Sequence, residues 1–76
     1  NKMKVTYDPQ ADAMYIYLNK HSVAGTVPVS TDLIVDYDKN KLPVVIEMLS
    51  VSKIIPKKSL SSIKIKLLSS PKALHK

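Results

Sequence analysis

Short runs in which every second residue is apolar constrain this chain more than any other feature. In the clearest run, Met14, Ile16 and Leu18 fall on one side of an extended chain. Tyr15 and Tyr17 fall on the other side. A period of two is typical of a β-strand with one face buried, and a helix cannot reproduce it. The same alternation predicts strands over residues 3–7, 14–18, 33–37 and 43–49.

Turn-forming residues separate these runs and predict how they pair. Asp8-Pro9 begins a turn, because proline presets φ and aspartate bonds its own backbone two residues on. Residues 38–41 form a second polar turn, so two β-hairpins are expected. Residues 23–29 read as a further, irregular strand that contains Gly25 and Pro28. Proline confines such a strand to the edge of a sheet or to a bulge.

The two predicted hairpins resemble each other at a constant offset of 30 residues. The matching pairs are Val5 and Val35, Tyr7 and Tyr37, Asp8 and Asp38, Met14 and Val44, Ile16 and Ile46, and Leu18 and Met48. The simpler explanation is that similar hairpins need similar residues. The alternative is an internal duplication that builds a pseudo-twofold sheet. Two copies are too few for a solenoid.

The pattern changes after Leu49. Ser50 is a candidate cap for a short helix that Pro56 would end. For residues 58–69 we predict a helix, although Ile63 to Leu67 also fits an alternating strand. The predicted fold is therefore α+β but mostly β: an antiparallel sheet of two hairpins and an irregular edge strand, with a short C-terminal helix. Residues 1–55 form the β domain, and residues 56–76 form a basic segment, helix or arm.

Size and composition restrict how the chain becomes stable. A 76-residue domain buries only about 60% of the surface that its unfolded chain exposes, so its core is small. The absence of cysteine excludes disulfides and thiolate metal sites, and it suits a reducing cytoplasm. No apolar run approaches the roughly 20 residues of a membrane helix. We expect a cytoplasmic homodimer that covers its apolar sheet face by self-association.

Charge is distributed unevenly along the chain. Residues 1–50 carry five lysines and six acidic residues, whereas residues 51–76 carry seven lysines and no acidic residue. All cations are lysine, which lacks the planar fork that arginine uses to bind phosphates and base edges. The candidate contacts to a partner or nucleic acid are Lys57, Lys58, Lys64, Lys66 and Lys72, with Tyr15 and Tyr17 as a possible stacking platform.

No residue pattern favours catalysis or a bound metal. Asp8 and Asp12 lie in a turn, where aspartate usually bonds backbone N–H groups rather than acting as acid and base. Residues 36–40 place oxygens at alternate positions but lack the glycine and glutamate of a calcium loop. His21 and His75 are expected to be solvated. We therefore predict a protein without catalytic, metal or cofactor sites.

Three segments resemble the family called domain of unknown function 2283. Its members typically begin with a YDPxADAxYI-like segment, which residues 7–16 match. Residues 35–38 and 46–53 are similar to its second hairpin and its "IEILxASK" ending. Many members carry glycine in the second turn, where this chain has Asn40-Lys41-Leu42. The resemblance covers roughly residues 3–55 and implies a small, mostly-β domain.

The resemblance also suggests a function. Family members often look like the smaller partner in two-gene toxin–antitoxin-type modules. We therefore expect a non-enzymatic protein that dimerises and binds a protein partner in an antitoxin-like role. Direct nucleic-acid binding through the basic segment is the alternative.

Overall fold

The computed structural model describes residues 3–69, in which one antiparallel sheet dominates. The strands are β1 (Lys4–Asp8), β2 (Ala13–Tyr17), β3 (Gly25–Ser30), β4 (Leu33–Tyr37) and β5 (Pro43–Met48). Their order in the sheet is β1-β2-β5-β4-β3, and every neighbouring pair is antiparallel. The predicted mostly-β antiparallel architecture is confirmed.

The predicted C-terminal helix over residues 58–69 is wrong. After β5 the described chain forms only two 3₁₀ turns, Val51–Lys53 and Lys57–Ser59, and residues 62–69 are irregular and exposed. Ser50 does not cap a helix through its side chain and has a φ of 51°. Isolated helices shorter than about 12–15 residues are marginal in water unless one face packs on the protein. Lysines interrupt the apolar residues here, so no continuous helical face is available.

The strand registers have a pseudo-twofold symmetry. An internal duplication, the alternative explanation of the 30-residue repeat, requires such symmetry. Ile16 of β2 lies opposite Ile46 of β5 at the centre of the sheet. The pairing of Val5 with Ile16 recurs 30 residues later as the pairing of Val35 with Ile46. A twofold axis perpendicular to the sheet between Ile16 and Ile46 therefore relates β1-β2 to β4-β5. The match ends at a register shift between Asp36 and Tyr37.

One face of the sheet is apolar from edge to edge. Register pairs place one such residue from each strand in a single row: Val5, Ile16, Ile46, Val35 and Val27. The first four are only partly buried, and Val27 is 49% exposed. Residues 3–69 contain no α-helix that could cover this face, although Met14 and Val44, which lie on it, are buried. We call it the apolar face.

The fully buried part of the described structure is small. Its apolar members are Ala13, Met14, Val44 and Val51, and Val51 has no exposed surface. The Val51 backbone N–H donates to the carbonyl of Asp12 at 3.1 Å, which fixes the first 3₁₀ turn against the β1-β2 turn. Within residues 3–69, none of the helical turns could span a lipid bilayer.

The irregular strand lies at an edge of the sheet, as Pro28 predicted. All residues of β3 are exposed, and its pairing with β4 shifts between Pro28 and Ser30. Proline and a bulge both discourage the pairing of a further strand at an open edge.

Candidate functional site

Asp8 makes the local hydrogen bonds that its position in a turn predicted. Its Oδ1 accepts the backbone N–H groups of Gln10 at 3.0 Å and of Ala11 at 3.3 Å. Asp38, its counterpart 30 residues later, accepts the N–H groups of Asn40 at 2.8 Å and of Leu42 at 3.0 Å. Both carboxylates thus stabilise the turns that join paired strands.

Asp12 joins distant parts of the chain, which sequence analysis missed. Its Oδ1 accepts the Tyr7 hydroxyl at 2.8 Å, and its Oδ2 accepts the Ser52 hydroxyl at 2.7 Å. The Ser52 backbone N–H donates to Oδ1 at 3.0 Å. Asp12 has a φ of 54°, a left-handed conformation that aspartate tolerates better than most residues. We call Tyr7, Asp12 and Ser52 the Asp12 clamp.

The clamp shifts the acidity of its own groups. The hydrogen bond from Ser52, followed by the one from Tyr7, lowers the pKa of Asp12 below its ordinary value. In turn the hydrogen bond to the Asp12 carboxylate raises the pKa of Tyr7. These hydrogen bonds favour the ionised form of the Asp12 carboxylate, which accepts them from both Tyr7 and Ser52.

Asp38 forms a second long-range contact, with His21. The Asp38 residue is only 8% exposed, and its Oδ2 lies 2.8 Å from Nδ1 of His21. The backbone hydrogen bond from Leu42, followed by the one from His21, lowers the pKa of Asp38. We call His21 and Asp38 the His21–Asp38 dyad.

His21 is therefore held in place rather than simply solvated. Its side chain is 52% exposed, and its backbone N–H donates to the Asn19 side-chain oxygen at 3.0 Å. The Asn19 amide group donates to the carbonyl of Pro43 at 3.0 Å, which ties this segment to β5. No local pattern in the sequence indicates the partner of His21, because 17 residues separate it from Asp38.

Two hollows lie beside the dyad. The hollow of about 380 Å³ is lined by Ala24, Gly25, Val27, Tyr37, Asp38, Lys39 and Lys41. The hollow of about 390 Å³ is lined by His21, Ser22, Val23, Ala24, Asp38, Lys39 and Asn40. They share Ala24, Asp38 and Lys39, so they adjoin. Together we call them the dyad hollow.

Tyr15 and Tyr17 interact with each other on the opposite face from the apolar row. Their ring centroids are 6.4 Å apart with an interplanar angle of 25°. The Lys4 ammonium lies 5.0 Å from the centroid of the Tyr17 ring. Glu47, which is opposite Tyr15 across the strand pair, raises the pKa of that phenol. The predicted stacking platform thus carries one lysine and one carboxylate.

The predicted contact lysines lie apart from the strands. Lys57 and Lys58 belong to the second 3₁₀ turn, and Lys64 and Lys66 belong to the irregular segment that follows. All four are exposed. Lys72 and His75 lie outside the described residues.

The irregular segment also exposes apolar side chains. Ile63, Ile65 and Leu67 are 59%, 72% and 87% exposed. They alternate with Lys64 and Lys66. The segment therefore exposes apolar and cationic side chains in alternation along the chain.

Asp36 and Asp38, the acidic members of the segment 36–40, accept hydrogen bonds from other groups of the protein. The Asp36 carboxylate accepts the Thr26 hydroxyl at 2.7 Å, and Asp38 holds the contacts given above. Within the part of the chain that the structure describes, no group of histidine and acidic residues is arranged to hold a metal ion.

Comparison with protein families gives one result, a family model described as "Protein of unknown function (DUF2283)" that matches residues 4–52. Comparisons with curated proteins and with solved structures found no match. The matched region contains the whole sheet, the Asp12 clamp and the His21–Asp38 dyad. The chain therefore belongs to this family of unknown function.

Proposed function

We propose that this protein is a non-enzymatic interaction module that homodimerises through its apolar face and binds a protein partner as an antitoxin-like subunit. The observation that carries the proposal is the apolar row across all five strands. Soluble monomers rarely expose a continuous apolar patch larger than a few hundred Å². An isologous dimer covers such a face on both copies at once.

The area of the apolar face of five short strands is smaller than the area that a stable dimer interface buries. We therefore infer that the second copy also contributes residues outside its sheet. Five strands spaced about 4.8 Å apart span roughly 20 Å. A stable interface usually buries about 800 Å² on each partner. The exposed side chains of Ile63, Ile65 and Leu67 supply the remaining apolar surface when they pack on the second copy. We therefore propose that residues 62–69 belong to the dimer interface.

Matched variants test the interface. Val27 on the apolar face and Val23 in the segment before β3 are 49% and 50% exposed. Both can accept aspartate with little change to the folded monomer. Light scattering after size exclusion should give a dimeric mass for the wild type and for Val23→Asp, and a monomeric mass for Val27→Asp. A monomeric wild type at micromolar concentration would contradict the proposal.

A truncation tests the contribution of the segment. A chain stopped after Ile55 keeps the sheet, the Asp12 clamp and the His21–Asp38 dyad but loses Ile63, Ile65 and Leu67. We expect it to fold and to dimerise more weakly than the full chain. Unchanged dimerisation would restrict the interface to the sheet.

The protein partner is a separate part of the proposal. It is supported by the resemblance to the smaller subunits of toxin–antitoxin-type modules and by the exposed lysines, which suit an acidic surface. Pull-down from native cells should recover one stoichiometric protein, encoded by a short adjacent gene. Recovery of no stoichiometric protein would remove this part and leave the dimer untouched.

Nucleic-acid binding is the second candidate, because Lys57, Lys58, Lys64 and Lys66 are all exposed in a segment without acidic residues. Binding of this kind weakens with salt, with a logarithmic slope of about −0.9 for each phosphate neutralised. Failure to bind both a duplex and a single strand at about 50 mM salt would exclude it.

A further inference from the structure

The dyad hollow is open at the surface, and its charge comes from few groups. Among the lining residues in the part of the chain that the structure describes, Asp38 is the only carboxylate. One oxygen of Asp38 accepts two backbone N–H groups and the other contacts His21. Its side chain is only 7% exposed. The charges left to interact with a ligand are therefore the cations of Lys39 and Lys41, so the hollow favours an anion.

His21 adds a directed polar group to the same hollow. Since Nδ1 is engaged by Asp38 at 2.8 Å, Nε2 is the ring nitrogen left for a ligand. It accepts a hydrogen bond when the ring is neutral and donates one when the ring is protonated. Asn19 fixes the backbone on which His21 sits. A side chain already held by the fold loses little conformational freedom when a ligand binds.

Gly25 lines the hollow together with Lys39 and Lys41, and it leaves space there because it has no side chain. A Cβ atom built on Gly25 would meet no atom within 4 Å, and its φ is not positive. Its backbone therefore does not require glycine, and any side chain placed there would project beside open space. Ala24, Val27 and Tyr37 line the same hollow and provide apolar contact.

We propose that the dyad hollow binds a small organic anion. Lys39 and Lys41 neutralise its phosphate or carboxylate group, Nε2 of the protonated His21 ring donates a hydrogen bond to that group, and an apolar body packs near Ala24 and Val27. This proposal does not require the dimer or its partner, although Val27 belongs both to the hollow and to the apolar face.

Titration followed by NMR tests the proposal with phenyl phosphate as the probe. We expect saturable shifts of the His21 ring and the Gly25 amide, with a dissociation constant on the order of 1 mM. Inorganic phosphate lacks the apolar ring of the probe, and benzoate lacks its phosphate group. If both bind more weakly than phenyl phosphate, the charge and the apolar body act together. Equal binding of phosphate and phenyl phosphate would overturn the role of the apolar contact.

Variants show whether the probe occupies the hollow. Gly25→Leu should fill it without a clash and abolish the saturable shifts of the His21 ring. Lys39→Ala and Lys41→Asn should each weaken binding about tenfold. Asparagine is chosen at Lys41 because its φ is 67° and asparagine tolerates this conformation.

The matched control is Lys53→Ala, which removes a lysine that does not line the hollow. It should leave binding unchanged. Absence of saturable shifts in the wild type would overturn the proposal, as would binding that survives in a folded Gly25→Leu protein. Equal weakening by Lys53→Ala would also overturn it, because it would indicate non-specific attraction to lysine.

Discussion

At each end of the pseudo-twofold sheet an aspartate binds a distant residue, but one end is packed and the other borders a hollow. At the β1-β2 turn, Asp12 binds Ser52, and fully buried Val51 lies next to it in the chain. At the β4-β5 turn, Asp38 binds His21, which is 52% exposed beside a hollow. By the offset of 30, Val51 is the sequence counterpart of His21. An apolar residue fills one end, whereas a polar residue borders a hollow at the other end.

The two ends share one hydrogen-bonding arrangement and differ in the residues around it. Both carboxylates reach a residue in the segment that follows a central strand, Ser52 after β5 and His21 after β2. Each contact ties the two halves of the sheet together. The halves then differ in the residues that lie around the contact. Both ends therefore share a hydrogen bond between an aspartate and the segment after a central strand, and the Asp38 end also borders the dyad hollow.

The largest effect is expected at the symmetry axis. Ile46→Asp places a charge between Ile16 and Val35 and should cost more than about 3 kcal/mol, so that the protein unfolds or dissociates. Ile16→Asp should match it, because the two positions are equivalent. Circular dichroism and light scattering measure both outcomes. Clearly unequal effects would break the symmetry argument.

A smaller effect tests the closed end. Val51→Ala removes two methyl groups from a residue with no exposed surface and should lower the free energy of unfolding by about 1–3 kcal/mol. Urea unfolding measures this loss. Val23→Ala is the matched control, because Val23 is 50% exposed. A loss equal to that of the control would show that the first 3₁₀ turn does not close this end.

Acid should weaken both ends through their carboxylates. Folding lowers the pKa of Asp12 and of Asp38 from the ordinary 3.8, so the unfolded chain binds protons more readily. The stabilisation is therefore fully present above about pH 5 and is lost as pH falls through the folded-state values. Asp38→Asn should lower the melting temperature more than Asp12→Asn at pH 7, because Asp38 is buried.

Asp32→Asn serves as the control for that comparison, since its backbone carbonyl rather than its carboxylate accepts the hydrogen bond of Leu49. Each of the two test variants should also lose part of the acid sensitivity that the wild type and the control retain. Melting curves between about pH 2 and pH 7 follow this change. Identical pH profiles for all four proteins would contradict the assignment.

The smallest effect is expected for Lys72→Ala. Lys72 lies outside the described residues, and its replacement leaves eleven of the twelve lysines in place. The variant should neither unfold nor dissociate in the measurements used for Ile46→Asp. Dissociation would show that charge, rather than apolar burial, holds the dimer.

Much of the sheet could be predicted from the residues alone. Alternation at Met14, Ile16 and their neighbours is a local property, and the strands β2 and β4 lie within one residue of their predicted bounds. Pro28 identified the edge strand, and Asp8 identified its own turn bonds. These features depend on backbone sterics and on contacts between residues near one another in the chain, so sequence suffices for them.

The tertiary structure decided everything that depends on distant partners. Asp12 binds Ser52 across 40 residues, and Asp38 binds His21 across 17. Neither contact has a local signal. The predicted helix over residues 58–69 failed for the related reason that a marginal helix forms only where a surface packs against it. Local alternation determined the strands, whereas the candidate site depended on which segments the sheet brought together.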